Sequence, residues 1–191
     1  MATAAPFFPP DANSPEVEAA FQAAPPEMVA EIIDGELSLM PRPRPRHARA
    51  AFRLGRRLGD FDDEGGGWVI LVEPELHLGS RPDKLVPDVA GWRRERLPEI
   101  PDEAAISIAP DWVCEVLSDR TRRLDLGKKR QVYAREGVKH LWFVDPEAQL
   151  VEVMRLEGRR WLLIETFEAD AVVRAEPFEA ADVPLSALWE R

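Results

Sequence analysis

Two acidic residues stand alone in runs that are otherwise apolar. Glu115 is the one charge within WVCEVL (112–117), and Asp88 follows Pro87 at the start of VPDVAGW (86–92). A strand covered on both faces does not hold an unpaired carboxylate, because taking the charge out of water is costly or shifts its pKa until the group is neutral. Glu115 must therefore meet a cation or line a cleft, and an arginine would satisfy it as simply as a metal. Asp88 fits a turn-forming Pro-Asp pair equally well. Two strands of one sheet, each carrying one acid, can bring both within reach of a single ion. A hard divalent cation such as Mg²⁺ takes carboxylate oxygen together with water and phosphate, so the chemistry open to such a pair is metal-assisted work on a phosphate.

Other polar residues add to this pattern. Glu73 and Glu75 lie two steps apart in a strand-like run, where they share a face with His77 and could add a ligand; a solvated strand edge explains all three as well. From Arg42 to Arg57 there are seven arginines (Arg42, Arg44, Arg46, Arg49, Arg53, Arg56, Arg57) with His47 and no acid. A second basic run holds Arg120, Arg122, Arg123, Lys128, Lys129 and Arg130 around Asp125. The net charge of −10 opposes wholesale binding of a polyanion, but local fields steer ligands more than net charge does. Solvated helix faces are the alternative. The single cysteine, Cys114, alternates away from Glu115 and belongs in the core. It excludes an intrachain disulfide and fits a reducing cytoplasm. With three histidines, it also leaves too few ligands for a structural zinc. No apolar run approaches the roughly 20 residues of a membrane helix, and the first residues lack the basic and apolar regions of a secretory signal. The six tryptophans are dispersed, as core residues would be.

These residues need elements to position them. Residues 1–26 read as a Pro/Ala-rich arm with one short helix near Pro15 to Ala23, and residues 27–191 as one domain. Asp34-Gly35 between apolar runs signals a hairpin. PRPRPRH (41–47) reads as a stiff, non-helical connector. From His47 to Phe61 the period is helical, with Ala51, Leu54, Leu58 and Phe61 on one face and Gly65-Gly66-Gly67 as the stop. Three strands follow (68–78, 86–92, 111–117), then a helix from Arg122 to Arg135 closed by Gly137, then the apolar strand 140–144. A hairpin around Gly158 and a short helix within 182–190 end the chain. This is an α/β domain with an αβββαβ core and a mixed sheet, plus an N-terminal hairpin and a C-terminal β-hairpin. The helix between two apolar strands implies that those two pair in parallel.

That order, with Pro87-Asp88 on the second core strand and Glu115 on the third, resembles the PD-(D/E)XK nuclease superfamily, and more narrowly the Uma2 family of restriction-endonuclease-like proteins. The matching stretches are EIIDGEL (31–37), PRH (45–47), VPD (86–88), CEVLS (114–118), Asp125-Lys129-Tyr133 and EGVKHLWFVDP (136–146). The likeness runs from about Ala30 to the C-terminus. It implies a metal-dependent endonuclease that hydrolyses phosphodiester bonds in nucleic acid, DNA foremost. Asp88, Glu115 and the Val116 carbonyl would hold Mg²⁺ or Mn²⁺, with Glu75, Asp125 and Tyr133 as additional site residues. Arg46, His47, Arg49 and Arg53 would hold the nucleic-acid backbone.

The chain departs from the superfamily at Leu117, which stands where the motif has a lysine. The resemblance implies that a lysine on the following helix can take its place, with Lys129 the best candidate: Asp125, Lys129 and Tyr133 are spaced by four and share one helix face. An ordinary Asp–Lys pair beside a packed tyrosine has the same spacing. The resemblance favours the catalytic role, which expects the Lys129 ammonium to point into the Asp88/Glu115 cleft. The two carboxylates are expected within roughly 4–6 Å of each other, from carboxylate–metal distances of about 2.0–2.5 Å. A homodimer is expected as well. Two rivals remain: a nuclease fold that binds without cutting, expected to show a closed cleft or an outward Lys129, and a dimerisation module whose acids are bonded to arginine.

Overall fold

The computed structural model of the chain describes residues 13–62 and 67–189. Residues 1–12 of the N-terminal arm, the Gly65-Gly66 stop and residues 190–191 lie outside the described residues. Helix α1 (Pro15–Gln22) starts at Ser14, whose hydroxyl accepts from the Val17 N–H, with Pro15 in the first turn where its missing N–H costs nothing. The helix docks on the body of the protein. Lys84 Nζ lies 2.6 Å from Glu18 Oε2 and over the Phe21 ring, and Asn13 Nδ2 donates to Pro82 O at 2.8 Å.

Strands β1 (Met28–Ile33) and β2 (Glu36–Pro41) form the expected hairpin. Asp34 (φ 53°) and Gly35 (φ 78°) supply the two positive φ values of its turn. Helix α2 (Pro45–Arg57) begins inside the PRPRPRH segment, earlier than expected, because Pro45 is tolerated at the first helical position. It buries Ala50, Ala51 and Leu54 and leads through Leu58 into α3 (Gly59–Asp62).

The run 68–78 is not one strand. It breaks between β3 (Trp68–Val72) and β4 (Leu76–Leu78), where Glu73 takes φ 51° and Pro74 has no N–H to give a ladder. Beyond the break comes β5 (Asp83–Leu85), a strand unexpected from DKL because two charges in three residues carry no apolar alternation. Then follow β6 (Val89–Arg93), β7 (Trp112–Val116), α4 (Arg122–Leu124), a π-helical turn (Asp125–Lys129) and α5 (Arg130–Arg135), with Gly137 (φ 79°) just beyond the helix end. Strands β8 (His140–Asp145), β9 (Leu150–Glu157) and β10 (Arg160–Glu168) complete the main sheet. A short ribbon of β11 (Val172–Val173) and β12 (Val183–Pro184) and helix α6 (Ser186–Trp189) close the chain.

Among the described residues the main sheet has six strands in the order β10-β9-β8-β7-β6-β3, and a second sheet has four in the order β2-β1-β5-β4. Only the β7–β8 pair of the main sheet is parallel, as its crossover helix requires. The αβββαβ order and the mixed sheet are therefore as expected. Side chains alternate along β7: Trp112, Cys114 and Val116 enter one core, with α2, Trp142 and Phe178, while Val113 enters the other, with Val132, Tyr133 and Phe143. Trp68, Trp92, Trp112 and Trp142 are fully buried, and Trp161 and Trp189 pack partly buried against the two cores. No helix among the described residues is long and apolar enough to cross a membrane.

Candidate active site

Strands β6 and β7 pair with Val89 opposite Cys114 and Ala90 opposite Val113. Asp88, one step before β6, therefore falls across from Glu115, and alternation puts both on the face that carries Ala90 and Val113. Asp88 Oδ2 accepts the Val116 N–H at 2.7 Å, and Asp88 Oδ1 lies 2.5 Å from Nε2 of His47 in the first turns of α2. Glu115 Oε1 accepts the Tyr133 hydroxyl at 2.5 Å and lies 2.8 Å from Lys129 Nζ.

The crossover helix delivers Lys129. In its π turn the Arg130 N–H reaches back to the Asp125 carbonyl, one residue wider than an α-turn, and both Asp125 and Lys129 face the sheet, buried. The ammonium is 3.6 Å from Asp125 Oδ1, 3.2 Å from Glu31 Oε1 and 3.3 Å from the Val86 carbonyl. Glu31 comes from β1, in the other sheet, and its Oε1 also accepts the Val86 N–H at 2.9 Å. It was not foreseen as a site residue. Yet it carries the signal that marked Glu115, a single acid in an apolar strand, MVAEII.

Glu31, Asp88, Glu115 and Asp125 thus crowd around one ammonium and one imidazole, all with little exposure. Burial pushes the Glu115 carboxyl well above its ordinary range; Lys129 opposes the shift, and Asp125 and Asp88 add to it. Burial likewise raises Asp125. For Lys129 burial works the other way, but the charges of Glu115 and Glu31 outweigh it and hold the ammonium protonated well above its usual value. His47 behaves similarly: burial disfavours its cation, and Asp88 more than restores it. The Tyr133 hydroxyl, buried beside Glu115, is pushed well up and stays a donor. Among the described residues no arginine bonds Asp88 or Glu115; their cationic partners are Lys129 and His47.

Asp88, Glu115 and Asp125, with Lys129, line an open cleft of about 410 Å³. Arg42, Arg44, Arg46 and Arg120 stand in its walls, and Glu73 lines it as well. The other expected residues are placed differently. Glu75 does not line the cleft; after the strand break it pairs with His77 Nε2 at 2.7 Å. Arg49 is exposed on α2 outside the cleft walls, and Arg53 donates to the Ala187 carbonyl in α6. His47 reaches the site through Asp88 rather than from an outer basic face. Among the described residues no three His, Cys, Asp or Glu side chains converge as a ready-made metal cage; the Lys129 ammonium stands among the acids instead.

No curated protein matches the chain significantly. Among solved structures, the fold is shared with one described as a "putative nuclease belonging to DUF820" from Anabaena variabilis. The TM-score is 0.73 at 21% identity, over 91% of this chain and 96% of that one. The sequence pattern of the Uma2 family, described as "Putative restriction endonuclease", matches residues 17–186. That span takes in β1, the Asp88 and Glu115 strands and the helix of Lys129 together, and the chain belongs to the Uma2 family.

Proposed function

We propose that the cleft is the active site of a metal-dependent nuclease hydrolysing phosphodiester bonds in nucleic acid, with DNA the first substrate to test. One observation carries the proposal: Glu115 on β7, Asp88 one step before β6 on the same sheet face, and a helix lysine meet at an open cleft walled by arginines. Membership of a family described as "Putative restriction endonuclease" supports it.

The donor set fits a hard divalent cation. Glu115 Oε2 makes no hydrogen bond among the described residues, Asp88 keeps lone pairs beyond its two bonds, and the acids outnumber the cations around them. Asp88, Glu115 and the Val116 carbonyl would hold Mg²⁺ or Mn²⁺. Once bound, the ion supplies Lewis-acid polarisation of the phosphoryl group. The protein's own residues supply the rest. His47 and the Val116 N–H fix the Asp88 carboxylate, and Tyr133 fixes that of Glu115. Lys129 sets a positive charge where negative charge grows on the phosphate. Arg44, Arg46 and Arg120 hold the nucleic-acid backbone without reading bases.

The open cleft and the inward lysine favour cutting over binding alone. The test is cleavage of plasmid and single-stranded DNA with Mg²⁺ or Mn²⁺, with chelator and Glu115→Gln as controls. Metal-dependent cleavage abolished by both controls is expected. Absence of cleavage on every nucleic acid, or equal cleavage by the variant, refutes the proposal.

A further inference from the structure

We propose that Glu31 is a positioning residue of this site, holding Lys129 and the loop that carries Asp88 in one arrangement. The N-terminal hairpin, outside the αβββαβ core, then completes the active site. This rests on the nuclease proposal for its catalytic consequence but not for its geometry.

Glu31 is 5% exposed, beside Ile32 and Ile33 at 0% and 1%. A carboxylate so placed is expensive unless its charge is used. Accepting one backbone N–H would not need the charge, since an amide oxygen accepts as well. The charge instead faces Lys129 Nζ, 3.2 Å from the same Oε1 that takes the Val86 N–H at 2.9 Å. Lys129 in turn donates to the Val86 carbonyl at 3.3 Å. Val86 lies between β5 and β6, so its two backbone groups find these partners in place of a strand ladder. It stands two residues before Asp88, with Pro87 and its restricted φ between. Glu31 and Lys129 therefore clamp the Asp88 loop from both sides of one peptide segment.

The arrangement has a further consequence for Lys129. Of its three acids, Glu115 belongs to the proposed ion site, and Asp125 is the most distant at 3.6 Å. Glu31 is the close anchor that does not compete with the ion. Without its charge the ammonium is drawn onto Glu115, which ties up the acid and moves the cation from the phosphate.

The experiment is a cycle of Glu31→Gln and Lys129→Met, with Glu36→Gln as control. Glu36 lies exposed on the neighbouring strand and pairs with Lys128. Glu31→Gln keeps an acceptor for the Val86 N–H and removes the charge. It is expected to lower kcat about 10- to 100-fold, the usual cost of losing a group that orients a site residue, with KM little changed. In the Lys129→Met background the same change should cost almost nothing, because residues acting through one another are not additive. A second readout needs no turnover: proton exchange at the Lys129 ammonium followed by ¹⁵N NMR, assigned by its loss in Lys129→Met. Exchange should quicken in Glu31→Gln and stay as in the wild type in Glu36→Gln.

Equal costs in both backgrounds, or wild-type ammonium exchange in Glu31→Gln, overturn the proposal. If Glu31→Gln does not fold, Glu31→Asp, which keeps the charge but shortens its reach, is read instead: faster exchange supports the positioning role, and wild-type exchange overturns it. A wild-type protein that cuts nothing while Glu31→Gln frees the ammonium sinks the nuclease proposal and leaves the positioning of Lys129 standing.

Discussion

Adjacent lysines on the crossover helix have opposite surroundings. Lys129 is buried among Glu115, Glu31 and Asp125, while Lys128 is exposed and pairs with Glu36 at the surface. Losing a positioned cation at a developing oxyanion costs roughly 2.7–4 kcal/mol of barrier, about 100- to 1,000-fold in rate. An exposed pair, screened by solvent, contributes little to stability. Lys129→Ala should therefore cripple cleavage and Lys128→Ala leave it nearly intact, in single-turnover assays of both folded variants. Equal effects would reduce Lys129 to half of a structural ion pair. Cys114 makes a separate case. One position from Glu115 on β7, it points into the opposite core, fully buried, and burial raises its thiol well above the ordinary value. A thiol reagent should leave the native protein unlabelled and react fully in denaturant.

Elements decide which of these side chains meet. The break at Glu73-Pro74 divides what reads as one strand between two sheets, which leaves Glu73 on the cleft and sends Glu75 to His77. The π turn faces both Asp125 and Lys129 toward the sheet. Two glycines in these elements test the packing around them. A Cβ on Gly91 in β6 would sit 3.2 Å from Trp112 and 3.3 Å from Trp68, ring atoms already enclosed in the core. Gly91→Ala should destabilise by about 1–3 kcal/mol, the usual cost of overpacking. A methyl group on Gly127 in the π turn would meet nothing within 4 Å. Gly127→Ala should stabilise by about 0.5–1 kcal/mol, since glycine loses more freedom on ordering. Urea denaturation of the two variants, read as midpoint shifts of opposite sign, checks both.

At the scale of the molecule, arginines and acids share the cleft. The net charge is −10, yet Arg42, Arg44, Arg46 and Arg120 gather at one cleft. Duplex affinity should fall with salt, with a log–log slope of about −0.9 for each phosphate neutralised. Alanine at Arg44, Arg46 or Arg120 should each make that slope about one unit shallower; an unchanged slope in fluorescence titrations would move the nucleic-acid path elsewhere. We also propose a two-fold homodimer, the symmetry that suits cutting both strands of a duplex. The outer edge strand of the main sheet, β10, leaves Leu162 and Leu163 44% and 48% exposed. Light scattering at high concentration should give twice the chain mass, and a monomer mass would refute the pairing.

The residues by themselves determined the αβββαβ order, the Asp34-Gly35 turn and the lone acids, Asp88 and Glu115, of two apolar runs. Each is a local matter: a hydrophobic period, a turn needing positive φ, a charge that an apolar run cannot bury alone. Only the tertiary structure decided what those charges meet. Glu31 is 55 residues from Val86, and His47 is 41 from Asp88. Such pairings depend on strand register and on how two sheets and a helix pack, and no local period encodes them. Arg53 shows the converse. The resemblance implies a backbone-binding role for it, and the packing of α2 against α6 gives it the Ala187 carbonyl as a partner that its type does not name. A side chain's chemistry is local, whereas its partner is chosen by the long-range contacts that the buried strands and helices make together.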